Sequence, residues 1–430
     1  MKLELHILQN FAPSNLNRDD TGSPKDCELG GVRRARISSQ CLKRSIRETF
    51  ETHGLLTDDE RAARTKRLVL EVSSRVIGRL HGKEGSERAA HASPADDPRF
   101  ARVSTAVTSA IVWAGLKANA ETSKTEYLLF LPVRALDALA EVVEANLDKL
   151  APGESPSAAE PAADEGAKSK GKPKSKKAEK SEAKEAADPE VRKQIVAILE
   201  DAARTPELAL FGRMIADAPG WNVEASCQVA HAISTHRVSM EFDFYTAIDD
   251  LKPDDTAGSD MMGTIPFNSA CFYRYLVVDV GDLQKNLGGD AEATAQARRT
   301  VEALVKAAVL AIPTGKQNSM AAQNLPSFVL ASVTDGAAPR SLANAFAKPV
   351  RPPRDGDLVH ESVVRLAKYA SAMDAVYGDR DRRALTYVAL DPEETLAADL
   401  AKHLPKTATD GKTLDQLAAT VVGAALGAPT

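Results

Sequence analysis

The sequence predicts an α+β fold built on a ferredoxin-like βαββαβ sheet with large insertions. Three observations predict it. The chain has 430 residues, 43% hydrophobic and 27% charged, which is ample for a sizeable core. Strand, helix, distant strand, long helix and strand patterns follow one another in that order. No repeat of roughly 20–50 residues is visible that would make the chain a solenoid.

In Lys2–Phe11, Leu3, Leu5 and Ile7 alternate with Glu4, His6 and Leu8, the period of a strand. A Gly/Pro/Asp-rich loop follows from Asn15 to Gly31. A helix begins near Ser38 or Ser39, either a suitable N-cap, with Leu42, Ile46 and Phe50 on one face and Gln40, Lys43 and Arg47 on another. Helices are expected over Asp58–Leu80 and Ala101–Ala118, and a short buried strand over Tyr127–Val133. From about Ala151 to Pro189 the chain is Ala, Lys, Glu, Pro and Ser without aromatic residues. Such a segment buries too little apolar surface to offset its ordering entropy, so it reads as disordered. Helix is expected again at Val191–Ala203, and a strand or hairpin arm at Val238–Phe244. Phe272–Val280 is β-prone, Ala291–Ile312 is a long helix, and Ser327–Val333 is a strand.

The longest apolar stretches, such as Ala307–Ile312, are far short of a membrane span, and Glu4 and His6 interrupt any secretory signal. Cys27, Cys41, Cys227 and Cys271 form no CxxC pair, so a reduced, cytoplasmic protein without membrane association is expected. Net charge is −5, yet Arg33, Arg34, Arg36, Lys43, Arg44 and Arg47 form a run with no acidic residue among them. The mean charge therefore does not exclude a polyanion partner.

Three segments carry residues suited to ligand chemistry. The first is Cys27–Arg47, where glycines permit close backbone approach, arginines fork onto phosphate, and the helix start offers free N–H groups. The alternative is an ordinary solvated basic face. The second is Ile312–Met320, whose Thr-Gly-Lys is no P-loop: position 310 is leucine and Gln317 follows Lys316. What remains is either a sugar- or phosphate-contacting loop, with Lys316, Gln317 and Asn318 as its side chains, or a plain connector. The third runs from Leu210 to Asp250, with His231, His236, Phe244 and Tyr245, either a base-stacking hairpin or one packed on its own core. Cys227 and His231 could share a helix face, but two ligands do not make a zinc site. Asp19 and Asp20 either hold Mg²⁺ or act as a general base for strand cleavage, or they cap the next segment or pair with an arginine such as Arg18. No complete active site is visible, so no catalytic function, metal or cofactor is expected.

Together, His6–Phe11, Asn15–Gly22, Gly30-Gly31 with Arg36–Gln40 and Lys43-Arg44, Phe211–Met214, Ala230–His236, Tyr245–Asp250, Phe272–Tyr275 and Gly315–Asn318 resemble the CasC backbone subunits of type I-E CRISPR Cascade, in the RAMP superfamily. The resemblance is dense over residues 1–50 and 208–350, diffuse over 51–150, absent in the insert and weak beyond 351. It implies an RRM-like palm (1–50 and 208–350) carrying a thumb hairpin around 225–265. Helical fingers would occupy 51–150 and 191–207, with a disordered insert at 151–190 and a C-terminal helical part of the palm at 351–430. It implies a guide-RNA (crRNA) partner, several copies of the chain along it, other Cascade subunits, and a target DNA strand reached through the guide. Carried over by position, Lys25, Ser38, Gln40, Lys43 and Arg47 grip phosphates, Met214 meets the bases, and Tyr245 and Thr246 lie on the thumb. Arg34, Arg36 and Arg44 join the basic set from the charge run. The chief rival is a backbone subunit that cuts target RNA through a loop aspartate, Asp19 or Asp20; a single-strand binder acting as a monomer is the third reading.

Overall fold

The computed structural model describes residues 1–82, 96–119, 122–152, 187–215, 218–247, 261–352, 354 and 356–427. Most of the segment expected to be disordered, 153–186, lies outside this set. The chain divides into two units, residues 1–57 with 226–430 and residues 58–225. Principal elements are numbered in chain order; shorter ones are given by range.

The first unit opens with strands β1 (Lys2–Ser14), β2 (Asp26–Leu29) and β3 (Val32–Ile37) and helix α1 (Ser39–Thr52). The second unit holds β4 (Ala62–Thr65), α2 (Leu68–Leu80), α3 (Phe100–Trp113), β5 (Leu129–Pro132), α4 (Val133–Ala145) and α5 (Pro189–Asp201). The first unit resumes with β6 (Cys227–Val229), β7 (Ala232–Ser234), β8 (Glu241–Ala247), β9 (Met261–Asp279), α6 (Ala291–Leu310), β10 (Phe328–Thr334), α7 (Leu358–Tyr377), β11 (Arg382–Ala389) and α8 (Leu414–Leu426).

The α+β class is as predicted. In the large sheet β1 lies between β9 and β10, antiparallel to both, and β6 and β7 pair antiparallel with the far side of β9. First strand beside third and fourth, with a divided second strand outside, is the order of a βαββαβ sheet. The sheet is wider than the sequence suggested. Asn15–Gly31 is not all loop, because β2 and β3 form a hairpin that extends one edge through β7. The C-terminal part is not purely helical, because β11 pairs with β10 and extends the other edge. The expected helix over 58–80 starts only at Leu68; Ala62–Thr65 pairs with β5 instead.

Two boundaries move. Residues 208–225 cluster with the helical unit rather than the palm. Ile215 joins its core with Ile195 and Leu199, and the buried Arg213 donates to the carbonyls of Trp221 and Leu199. Where a thumb hairpin is expected, 225–265, Cys227–Val229 and Ala232–Ser234 belong to the main sheet and a shorter hairpin follows them. Its arms are Glu241–Ala247 and the first part of β9.

Both sheet faces are covered. Leu3, Leu5 and Ile7 are essentially inaccessible, and burying each stabilises the fold by about 1.5–3 kcal/mol. On that face Arg274 is fully enclosed; it donates to Gln9 Oε1 (2.5 Å) and to the Ala308 (2.5 Å) and Ala311 (3.4 Å) carbonyls at the end of α6. A cation at a helix C-terminus offsets the dipole there, although burial still pulls its pKa down to about 10. α7 covers the opposite face, where Leu8 packs with Phe328, Val363 and Leu366. Strand alternation alone would have left Glu4 and His6 on that face in water, but both are buried. The Tyr275 hydroxyl donates to Glu4 Oε2 (2.6 Å), and the Tyr273 hydroxyl, which accepts from Leu342 N–H (2.9 Å), donates to His6 Nδ1 (2.9 Å). Burial, aided by Arg382, lowers the His6 pKa to about 3, so the ring is neutral near pH 7 and its Nδ1 can accept from Tyr273.

A histidine near 6.5 when unfolded and near 3 when folded binds its proton only in the unfolded chain between those values. Stability should be complete above pH 6.5 and fall as pH drops toward 3, by about 1.4 kcal/mol per pH unit from this residue. Denaturant titrations across that window should show the slope, and His6→Gln should remove this contribution to it.

Candidate nucleic-acid interface

The first loop is shaped by its own polar side chains. Asp19 Oδ1 accepts from Thr21 N–H (2.9 Å), Thr21 Oγ1–H (2.8 Å) and Ser23 N–H (2.9 Å), bonds that hold its carboxyl below the usual range. Asn15 Nδ2 ties the loop to the carbonyls of Gly22 and Pro266, both at 3.0 Å. Asn17 Oδ1 accepts from Ser38 N–H (2.9 Å), and its carbonyl accepts from Lys25 N–H (2.8 Å). The loop is thereby fixed to the start of α1.

Ser38 caps α1 through Oγ, which accepts from Cys41 N–H at 3.3 Å. Leu42, Ile46 and Phe50 are buried as their spacing requires, leaving Gln40 and Arg44 exposed and Lys43 and Arg47 half-buried. Ser38 itself is 7% exposed. Its role is to shape the helix end that offers N–H groups, rather than to reach a ligand.

The basic run does not act as one stripe. Arg34 is fully buried, and its guanidinium donates to the carbonyls of Leu29 (3.2 Å), Ser234 (3.2 Å), Phe346 (2.7 Å) and Ala347 (3.3 Å). It anchors the β2–β3 hairpin and is removed from the phosphate-binding set. The same anchor explains Gly30, whose φ is +65° and where a Cβ would stand 1.7 Å from the Ala347 carbonyl oxygen. Acidic partners absent from the run arrive from either side of it: Asp26 pairs with Arg33 at 2.5 Å and Glu48 with Arg44 at 2.8 Å. Lys25, Arg36, Lys43 and Arg47 keep partial exposure.

Gly315 carries the second loop against the first. A Cβ there would lie 2.3 Å from Leu16 O and 2.8 Å from Asn15 O, so no other residue allows this approach. The two loops and the outer face of α1 enclose a groove of about 650 Å³, lined by Arg18, Asp19 and Asp20, by Gln40, Arg44 and Glu48, and by Thr314 and Gly315. The sequence-predicted segments therefore meet. The groove nevertheless holds two guanidinium groups against three carboxylates, and is no simple phosphate trough. In the second loop Lys316 adopts a left-handed φ of +54°, and Asn318 is exposed. Gln317 turns inward, donating from Nε2 to the carbonyls of Pro313 (3.0 Å) and Ala322 (3.2 Å), so it braces the loop instead of contacting a ligand.

The cationic patch lies along β3. Arg36 donates from Nε to the Asp26 carbonyl (3.1 Å) and from Nη1 to His231 Nδ1 (2.9 Å). Burial, Arg36 and Lys25 all lower the His231 pKa, and Lys25 also acts on Cys41 in the first turn of α1. Lys25, Arg36, His231 and the start of α1 thus form one neighbourhood. In the sequence, His231 stands out only within the candidate hairpin and as a metal ligand beside Cys227. They share no helix face: Cys227 opens β6 and is buried, its thiol pushed up to about 12, while His231 lies in the link to β7 and is exposed.

The remaining candidates lie on other elements. Met214, 85% exposed, belongs to the other unit, after a turn in which a Cβ on Gly212 (φ +72°) would lie 2.7 Å from Val223 O. Tyr245 and Thr246 lie on β8. The Tyr245 ring occupies the space beside Gly263, its cross-strand partner. Phe242 (68% exposed), Phe244 (64%), Met261 (57%) and Met262 (66%) show that the described arms do not bury their apolar residues on a core of their own. Residues 248–260 between the arms, Asp249 and Asp250 among them, lie outside the described residues.

Because the Gly315 approach builds the groove, Gly315→Ala should push the loops apart and lower stability by about 1–3 kcal/mol, the usual scale of overpacking. Gly30→Ala, with a closer clash and a left-handed φ, should cost more; chemical denaturation of both variants checks the order. Among known proteins, no curated sequence matches this chain. A solved chain from a "CRISPR RNA-guided surveillance complex, pre-nicking" is 28% identical with a TM-score of 0.74, covering 99% of this chain and 100% of that one. A second, from a "CRISPR RNA-guided surveillance complex", is 23% identical with a TM-score of 0.63 and the same coverage, 99% and 100%, and speaks to the fold. The CT1975-like protein family matches residues 3–419, nearly the whole length, and the chain belongs to that Cas family.

Proposed function

We propose that this chain is a backbone subunit of a type I-E Cascade: it binds crRNA, assembles in several copies along it with other Cascade subunits in the cytoplasm, and presents the guide to a target DNA strand without catalysing a reaction. The observation that carries this reading is the Lys25–Arg36 patch at the capped start of α1, in a chain of the CT1975-like family. Point charges and helix N–H groups grip a ribose-phosphate chain without reading its letters, which a protein serving arbitrary guides requires. The 28% identity to a surveillance-complex chain over the full length supports the same setting. Among the described residues no helix is long and apolar enough to cross a membrane.

For the cleaving alternative, Asp19 Oδ1 is already bonded to Thr21 and Ser23 within its own loop, which gives that carboxylate a structural task. Assembled complex given complementary labelled RNA and Mg²⁺ should leave that RNA intact. Cleavage that disappears in Asp20→Ala would establish the alternative.

The binding reading is tested by the salt dependence of guide affinity. Lys43→Ala with Arg47→Ala should lower the log–log slope by about 0.7 for each phosphate that the variant no longer neutralises. Arg34→Met should lower stability and leave the slope unchanged. An unaltered slope in the double variant would mean that α1 faces something other than RNA.

A further inference from the structure

Arginine has no acceptor, so whichever ring nitrogen meets Arg36 Nη1 must carry a lone pair. His231 Nδ1, at 2.9 Å, is that nitrogen, and the proton of the neutral ring then resides on Nε2. The arrangement is built by the sheet. β7 pairs with β3 in the register Arg36↔Ile233 and Ile37↔Ala232, which brings the residue just before β7 to the Arg36 side chain. With Nε donated to the Asp26 carbonyl at 3.1 Å, the guanidinium is held at two corners and keeps three N–H groups for a ligand.

We propose that His231 is a positioning residue for RNA binding: its neutral ring holds the Arg36 fork ready for a backbone phosphate and lets go when the ring is protonated. The proposal rests on the RNA-binding reading above. The groups facing the ring agree with it. Arg36 on β3 and Lys25 ahead of β2 are both cations, and with burial they lower the ring's pKa from the usual 6.5. On β2, Asp26 is paired with Arg33, and the Cys27 thiol is pushed up by burial and so stays neutral. A neutral acceptor between two cations allows Arg36 to be fixed without a carboxylate that would compete with phosphate. Fixing a long side chain before binding removes an ordering cost from the binding step.

The test uses the full chain and a guide-length single-stranded RNA. At pH 7.5, His231→Ala should weaken binding about 3- to 10-fold, the scale of one side chain losing its preorganisation. That loss should vanish in an Arg36→Ala background. His231→Gln, whose amide oxygen accepts at any pH, should restore affinity. The pair is intact above the ordinary histidine value and lost as pH falls below it, so wild-type affinity should drop relative to His231→Gln between pH 7.5 and 5. A rise instead would mean that the protonated ring contacts phosphate itself, and would overturn the proposal, as would an unchanged His231→Ala penalty without Arg36. Nitrogen-15 shifts of His231 in the RNA-free chain decide the pairing independently: a proton on Nδ1 refutes it. Failure of the wild-type chain to bind RNA at all would instead refute the function proposed above.

Discussion

The backbone of Gly315 lies against the backbone of Leu16, and the groove between the first unit's two loops and α1 depends on that approach. It requires a residue without a Cβ at one point and a loop held still at the other. The first condition is a single glycine. The second is met by Asn15, Asn17 and Asp19, whose side chains bind the loop to β9, to α1 and to itself. Arg274 supplies a third restraint by gripping the carbonyls at the end of α6, so that the chain leaves the helix at a fixed place and enters the second loop there.

Charge is distributed on a finer scale than composition conveys. A run of six basic residues without an acid between them reads as one positive stripe, yet its members go to different tasks. Arg34 is a buried anchor, Arg33 and Arg44 pair with carboxylates just outside the run, and Arg36 joins a histidine from 195 positions away. The groove beside α1 consequently holds one carboxylate more than its guanidinium groups, while the cationic neighbourhood lies along β3. Exposed ion pairs such as Arg44–Glu48 are weak, about 0–1 kcal/mol, and an incoming phosphate can take either cation from its partner. Fully bonded Arg34 has no such freedom.

Helix α1 was legible from residues 38–50 alone. A capping serine and apolar residues at 42, 46 and 50 are local signals, and the helix forms where they place it. The order of strands and helices in the first unit was legible for the same reason, since period-2 and period-3.6 patterns report which face of an element is dry. The β2–β3 hairpin was not, because the four residues Asp-Cys-Glu-Leu are too short a run to mark a strand inside a Gly/Pro/Asp-rich segment, and the pairing is stabilised by Arg34 reaching carbonyls more than 300 positions away. Glu4 and His6 read as a water-facing pair because α7, which covers them, comes more than 350 residues later.

What the residues determined unaided was chemical type and local form: a capped amphipathic helix, a glycine-dependent loop, a basic segment, and a family likeness carried by motifs in order. Tertiary structure alone decided direction. It turned Gln317 and Arg34 inward, set Met214 in a separate unit, and brought His231 to Arg36. Such choices follow from which carbonyls lack donors and which strand becomes a neighbour, and those are properties of packing between distant segments rather than of any stretch read along the chain.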